Sequence, residues 1–236
     1  MLEILYKDND IVAINKPNNL LVHRTPLARG EKQFAMQMLR DQLGQHVYPI
    51  HRIDRPTSGV LLFGLNKRIT AEIQNLFEEH LTIKKYWLIA RGHTPENDEI
   101  NIPINSEYDE TLRDAQTIFK TIARTEIPFQ TSKFPTSRYS LVEAQPLTGR
   151  THQIRQHFAK IRHYILGDRR YGDCKQNKLF DEHPGKGLLL HSRSLSFTHP
   201  TTKKEVTITA PLRDHFKRSL KFIGLSEYSH ENTAEG

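Results

Sequence analysis

The sequence predicts an α+β fold, a mixed and mostly antiparallel central sheet with flanking helices and loops. Two observations carry this expectation. Apolar runs of strand character are joined by hairpin turns more often than by the helical crossovers of a parallel sheet. Short amphipathic helical stripes are scattered between those runs and do not alternate with them.

Each element follows from a local pattern. Residues 2–6 and 11–15 read as a hairpin across Asp8-Asn9-Asp10. Phe34, Met38 and Leu39 mark a short amphipathic helix over 32–43. Val60-Leu61-Leu62-Phe63-Gly64-Leu65 is a continuous apolar run, the mark of a buried strand. Ile69, Ile73, Leu76 and Phe77 follow the i, i+4, i+7, i+8 stripe of a helix, with Asn66 placed to cap it. Strands are expected over 83–91 and over parts of 115–124 and 138–145. Ile154, Phe158 and Ile161 give another helical stripe, which Thr148-Gly149 can open. Residues 188–198 and 205–210 flank His199-Pro200-Thr201-Thr202 as a hairpin, and Leu212, Phe216 and Leu220 mark the last helix. Residues 1–224 are expected to form a single domain, and 225–236 a polar, disordered tail.

Composition narrows the function. No apolar run approaches the roughly 20 residues of a membrane span, and the first residues lack the basic and apolar regions of a signal peptide. A cytoplasmic location is expected. The single cysteine, Cys174, excludes an internal disulfide and a thiolate zinc site. Thirteen histidines invite a metal reading, but the His152/His157 and His157/His163 spacings do not put two ligands on one helical face. Neither a phosphate-binding G-x-x-x-x-G-K-[ST] loop nor a dinucleotide G-x-G-x-x-G fingerprint is present, so no cofactor is expected. Charge is unevenly placed. Residues 1–148 hold 18 Lys and Arg against 18 Asp and Glu, whereas residues 149–222 hold 16 against 6. A basic excess confined to one segment suggests a polyanion-binding face. A basic surface with no partner is the alternative.

Four stretches carry candidate chemistry. In His51-Arg52-Ile53-Asp54-Arg55-Pro56-Thr57-Ser58-Gly59 an aspartate sits between two arginines and a Pro-Thr-Ser-Gly turn follows. Such a loop can display a carboxylate from a rigid scaffold; a surface salt-bridge cluster is the other reading. In Lys84-Lys85-Tyr86, period-2 alternation puts Tyr86 on one face with Lys84, Leu88 and Ala90, while Trp87 faces the other side. In Leu147-Thr148-Gly149-Arg150-Thr151-His152-Gln153-Ile154-Arg155, Thr151 and Arg155 would be i, i+4 neighbours on one helical face. The fourth is Leu188-Leu189-Leu190-His191-Ser192, a short apolar strand with a polar end.

The whole pattern resembles the pseudouridine synthases of the RluA type, and the likeness runs from Met1 to about residue 222. His51–Gly59 is similar to that family's H-R-L-D-x-x-T-S-G signature, with Ile53 in place of leucine. Gly149–Arg155 resembles G-R-x-H-Q-[IL]-R, and Leu190-His191-Ser192 resembles L-H-A. Asn15-Lys16-Pro17-Asn18-Asn19-Leu20-Leu21-Val22-His23 is similar to N-K-P-x-G-L-x-V-H. Asn19 stands there where glycine is usual, and asparagine best tolerates positive φ among the other residues.

The resemblance implies the pseudouridine synthase fold and a cofactor-independent isomerase converting uridine to pseudouridine. It assigns catalysis to Asp54, Tyr86 and Arg155: Asp54 as the reacting carboxylate, Tyr86 stacking on the base and assisting C5 proton loss, Arg155 pairing with Asp54. Arg52 would fill the gap left by a flipped base. His51, Leu190, Arg150, Arg162 and Arg169 join it as substrate-binding candidates, Leu190 lining the base pocket and the others contacting backbone or scaffold. The Arg55-Pro56 pair points to the branch that acts on tRNA, at a uridine of the acceptor and T-arm region, position 65. Ribosomal RNA is the alternative substrate, and a silent RNA-binding protein of this fold the alternative class. A monomer with no obligatory protein partner is expected.

Overall fold

The computed structural model describes residues 1–23, 30–106, 109, 111–131 and 133–229. Along the chain these form β1 (Ile4–Lys7), β2 (Ile11–Lys16), α1 (Ala35–Leu43), β3 (Tyr48–Pro49), β4 (Ser58–Gly64), α2 (Lys67–Glu78) and β5 (Ile83–Arg91). Then follow β6 (Asn97–Asn101), β7 (Ile104–Asn105), β8 (Leu112–Arg113), β9 (Gln116–Ile127), β10 (Ser137–Pro146), α3 (Gln153–Lys160) and α4 (Cys174–Glu182). Last come β11 (Leu190–Thr198), β12 (Glu205–Thr209), α5 (Asp214–Phe222) and a 3-10 turn over Ser226–Ser229. The fold class is α+β, as hairpin-joined strands with helices scattered between them predict.

The chain divides into two compact units, one of Met1–Lys85 and Ser192–Ala210, the other of Tyr86–His191 and Pro211–Gly236. The boundaries fall inside β5, inside β11 and just after β12.

In the first unit the strand order is β1-β2-β4-β11, with β3 beside β4 and β12 beside β11. The β1/β2 hairpin turns where expected, because the Asp8 carboxylate accepts from the Asp10 and Ile11 amides at 2.8 Å each. Every residue of β2 and of β4 is buried, which is why the Val60–Phe63 part of β4 reads as a continuous apolar run. Asn66 caps α2, its side chain accepting from the Ile69 amide at 2.9 Å. Ile69 and Ile73 join Ile11, Ala13, Val60, Leu62 and the hairpin residues Leu195, Phe197 and Ile208 in one core. A second core sets Val12, Ile14, Leu61 and Phe63 against Leu39 of α1.

In the second unit the order is β5-β10-β9-β6, all antiparallel, with a separate β7/β8 ribbon. Alternation along β5 divides its side chains as predicted. Leu88 and Ala90, with Tyr86 packed beside them, belong to the core that contains Ile154, Phe158, Leu188 and Leu190. Ile89, with Trp87, belongs to the core built on Tyr139, Phe180, Leu189, Phe216 and Leu220.

Three features of the structure depart from the sequence reading. Helix α3 starts at Gln153, not at Thr148, so Thr151 and Arg155 are not neighbours on a helical face. The cause is Gln153 itself. Its Oε1 accepts from Thr148 Oγ1 (2.7 Å) and the Arg150 amide (3.0 Å), and its Nε2 donates to the Gln116 carbonyl (2.9 Å) and Thr117 Oγ1 (3.0 Å). Residues 148–152 are wound as a turn around that buried amide. Helix α4 escaped the sequence reading because its stretch CKQNKLFDE holds few apolar residues; Asp173 caps it, accepting from the Lys175 and Gln176 amides. The chain also stays folded past residue 224: Leu225 is buried and Tyr228 packs against the same core, while the tail residues 230–236 lie outside the described ones.

Candidate active site

The Asp54 loop of the first unit is anchored from below by a buried lysine. Lys16, fully buried at the end of β2, donates to the carbonyls of Pro17 (2.9 Å), Leu20 (2.9 Å) and Arg55 (3.0 Å). An ammonium has three hydrogens, so these three acceptors match its full complement. Asn18 Nδ2 donates to the Pro56 carbonyl at 2.7 Å, tying the same two loops together once more. Asn19 adopts φ 63°, the left-handed turn expected where the family has glycine.

The loop itself closes as a turn, the Thr57 amide donating to the Asp54 carbonyl at 3.0 Å. Ile53 and Thr57 are buried, Asp54 is half-buried, and Arg52 is exposed. Arg55, Asp54's neighbour, gives its guanidinium to Glu31 Oε1 (2.6 Å) and the Asn19 carbonyl (3.2 Å). It therefore joins the N-terminal loop to the Asp54 loop. Gly59 then enters β4 at φ +106°, where a Cβ would come within 2.2 Å of the Ser192 carbonyl oxygen, so only glycine fits.

His51 supports this loop from inside. Its Nε2 accepts from the Leu62 amide at 3.1 Å, its ring stacks on Phe77 at 4.9 Å, and its remaining polar contact is with the Arg52 backbone. Burial, followed by the nearby Lys84 ammonium, pushes its pKa down to about 4. It is a neutral ring engaged on both nitrogens by the protein, and it fixes the residue before Arg52.

The second unit holds Tyr86, Arg155 and Leu190. Tyr86 is half-buried, lies opposite Ala144 of β10, and packs on the core that includes Leu190. Leu188 shares that core, whereas Leu189 belongs to the other face. Arg155 lies in the first turn of α3 and is buried with Asp168 in a two-point ion pair, Nε to Oδ2 at 2.7 Å and Nη2 to Oδ1 at 3.0 Å. Asp168 Oδ1 also accepts from the Arg170 (2.9 Å) and Tyr171 (3.0 Å) amides. Burial raises its pKa, but the Arg155 guanidinium and those amides outweigh it, and the carboxyl stays below its ordinary value. The Tyr171 ring lies 5.2 Å from the Arg155 guanidinium carbon, and its hydroxyl is 3.1 Å from His152 Nδ1.

The remaining candidates are surface groups. Arg150 is exposed and donates to the Asp114 carbonyl at 3.1 Å. Arg162 is exposed at a positive φ of 62°. Arg169 is exposed and paired with Asp181. A concavity of about 410 Å³ elsewhere in this unit is lined by Asp98, Glu99 and Glu143 among others. None of the predicted residues lines it, and its carboxylates would repel phosphate. No helix of the described residues is long and apolar enough to cross a membrane.

Two buried charged residues have structural roles that the motifs alone do not reveal. Lys16 lies in the N-terminal motif, at the end of a strand whose other residues are mostly apolar. Asp168 is one of six acids in the basic 149–222 segment, and nothing in its local pattern says which of the many cations it pairs with.

The first unit thus carries the Asp54 loop over buried Lys16, and the second carries Tyr86 beside an apolar core and the buried Arg155. Residues 10–160 match the family model described as RNA pseudouridylate synthase, and the chain belongs to that family. It is 47% identical over 221 residues to the tRNA pseudouridine synthase C of Vibrio vulnificus strain CMCP6, covering 89% of this chain and 90% of that protein. It is 46% identical over 233 residues to the protein of the same name from Haemophilus ducreyi strain 35000HP, covering 94% and 96%. Among solved structures, Human RNA Pseudouridylate Synthase Domain Containing 4 superposes with a TM-score of 0.70 at 25% identity, covering 94% of this chain and 92% of that one. Human RNA Pseudouridylate Synthase Domain Containing 1 does so with a TM-score of 0.73 at 23% identity, over 90% and 84%. That second likeness bears on the fold alone.

Proposed function

We propose that the protein isomerises a uridine of tRNA to pseudouridine, at position 65 in the acceptor and T-arm region. The observation that carries this reading is near-full-length identity of 47% to a relative named tRNA pseudouridine synthase C, together with an intact His51–Gly59 stretch around Asp54. In the reaction the N1–C1′ bond of the nucleotide breaks, the uracil turns, a C5–C1′ bond forms, and a proton leaves C5 as one is gained at N1. Atoms and electrons are conserved, so the chemistry calls for no metal, redox group or cosubstrate.

Asp54 supplies the reacting carboxylate. Tyr86 positions the base and assists C5 proton loss, with Leu190 beside it in the apolar wall. Arg155 provides the guanidinium that partners the carboxylate. Arg52, exposed two residues before Asp54, fills the stack vacated by the flipped uridine, a flip that costs a few kcal/mol. An apolar wall also keeps water from the detached base. Arg150, Arg162 and Arg169 contribute to a basic face for the phosphate backbone, and His51 contributes by fixing the loop. We infer that the enzyme works in the cytoplasm as a monomer.

The test is Asp54→Asn, with pseudouridine mapped by position in tRNA and ribosomal RNA. Isomerisation should fall at least about 10³-fold, while the fold and most tRNA affinity persist because affinity comes mainly from phosphate contacts. Substantial activity in the purified variant would overturn the assignment. Wild-type product confined to ribosomal RNA would overturn the tRNA reading alone.

A further inference from the structure

The Gly167–Gly172 turn of the second unit is built around one carboxylate, and that carboxylate is spent on one cation. Asp168 is 2% exposed and Arg155 6%. The Asp168 carboxylate accepts from two N–H groups of Arg155, at 2.7 and 3.0 Å, and from the Arg170 and Tyr171 amides. The turn is in turn fixed to α4. Asn177 Oδ1 accepts from the Gly167 amide at 2.7 Å, and Asn177 Nδ2 donates to the Asp168 carbonyl at 2.8 Å. Gly167 and Gly172 leave no space for a Cβ, which would meet the Gly187 carbonyl oxygen at 1.8 Å and the Asp168 carbonyl oxygen at 2.2 Å. The backbone that carries Asp168 thus has one available course.

We propose that Asp168 is a positioning residue for the isomerisation, acting through Arg155; this rests on the function proposed above. A guanidinium is a planar fork, and two-point contact through Nε and Nη2 fixes both its plane and its rotation about χ4. Tyr171, 5.2 Å away under the same group, closes its face. With the Nε–Nη2 edge held, the direction of the other edge is set before substrate arrives, and no rotamer search is left for the reaction. The negative charge also offsets the cost of burying Arg155, which a lone arginine inside the fold would meet by leaving the site. A surface arginine with the same motif would need neither device.

The test is Asp168→Asn in the full-length protein. The amide keeps the size and an acceptor for the Arg170 and Tyr171 amides, but it loses the charge and the two-point contact. Single-turnover rates at saturating enzyme are the readout, since they do not depend on the folded fraction. The rate on tRNA is expected to fall about 10- to 100-fold with tRNA affinity within twofold of wild type. In an Arg155→Lys background, which cannot make the two-point pair, Asp168→Asn should add less than twofold. An unchanged single-turnover rate in Asp168→Asn, or a full multiplicative loss in the double variant, would overturn the positioning role while leaving an active wild type and the proposed function intact. A wild-type protein without isomerase activity on tRNA would instead overturn the proposed function and this inference with it.

Discussion

Lys16 Nζ lies 3.0 Å from the carbonyl oxygen of Arg55, one residue beyond Asp54. A buried strand cation thereby holds one carbonyl of the Asp54 loop and two carbonyls of the N-terminal loop at a single point. The loop that carries Asp54 is held through its backbone carbonyls by Lys16 and Asn18, and through the Arg55 side chain by Glu31.

Replacing Lys16 with methionine should be costly. Its three carbonyl acceptors would be left buried without that donor, at roughly 1–3 kcal/mol for an unsatisfied polar group. A loss of at least about 3 kcal/mol in unfolding free energy is expected by urea titration. Displacement of the Asp54 loop by even 1 Å should lower kcat about 10²-fold. Unaltered kcat in the folded fraction would show that Lys16 serves stability alone.

Gly59→Ala should be among the most damaging single-methyl additions in the chain. The new Cβ would sit 2.2 Å from the Ser192 carbonyl oxygen at a φ of +106°. Backbone strain and overpacking each contribute about 1–3 kcal/mol. Thermal unfolding should show a strongly lowered midpoint, and a wild-type midpoint would mean the β4 entrance can move.

Stability should fall with acid in a window set by His51. Its folded pKa is about 4 against an ordinary 6.5, so the unfolded chain takes up a proton that the folded one refuses. The contribution is fully present above pH 6.5 and is lost as pH drops towards 4, on the order of 3 kcal/mol. Burial of His157 and His215 acts in the same direction, so His51→Gln should remove part of the slope. Unfolding free energies at pH 7 and 4.5 for both proteins check this; identical slopes would contradict a buried neutral His51.

Binding of tRNA should weaken steeply with salt, by about 0.7–0.9 log units per log unit of salt for each phosphate neutralised. Arg162→Glu should lower the slope by about one contact. Arg169→Ala should change it less, because Asp181 already pairs with that guanidinium. A flat salt response in the wild type would remove the basic segment from the RNA face.

The sequence by itself determined the long strands, the Asn66 cap and the chemistry-bearing motifs, because these rest on local rules. Period-2 alternation divided Tyr86 from Trp87 between two cores, Asn66 capped its helix, and Asn19 took the left-handed turn. The family followed from motifs whose residue order is one-dimensional. Tertiary structure decided what those motifs are attached to. Helix α3 begins late because Gln153 is claimed by Gln116 and Thr117, more than 30 positions away. His51 is a loop support because Phe77 and Leu62 meet it, and Arg55 serves Glu31 and Asn19. Above all, Arg155 is a buried, oriented cation because Asp168, 13 residues further on, returns to it across a glycine turn. Ion pairs and burial depend on which distant backbone closes over a side chain, and a local pattern carries no record of that.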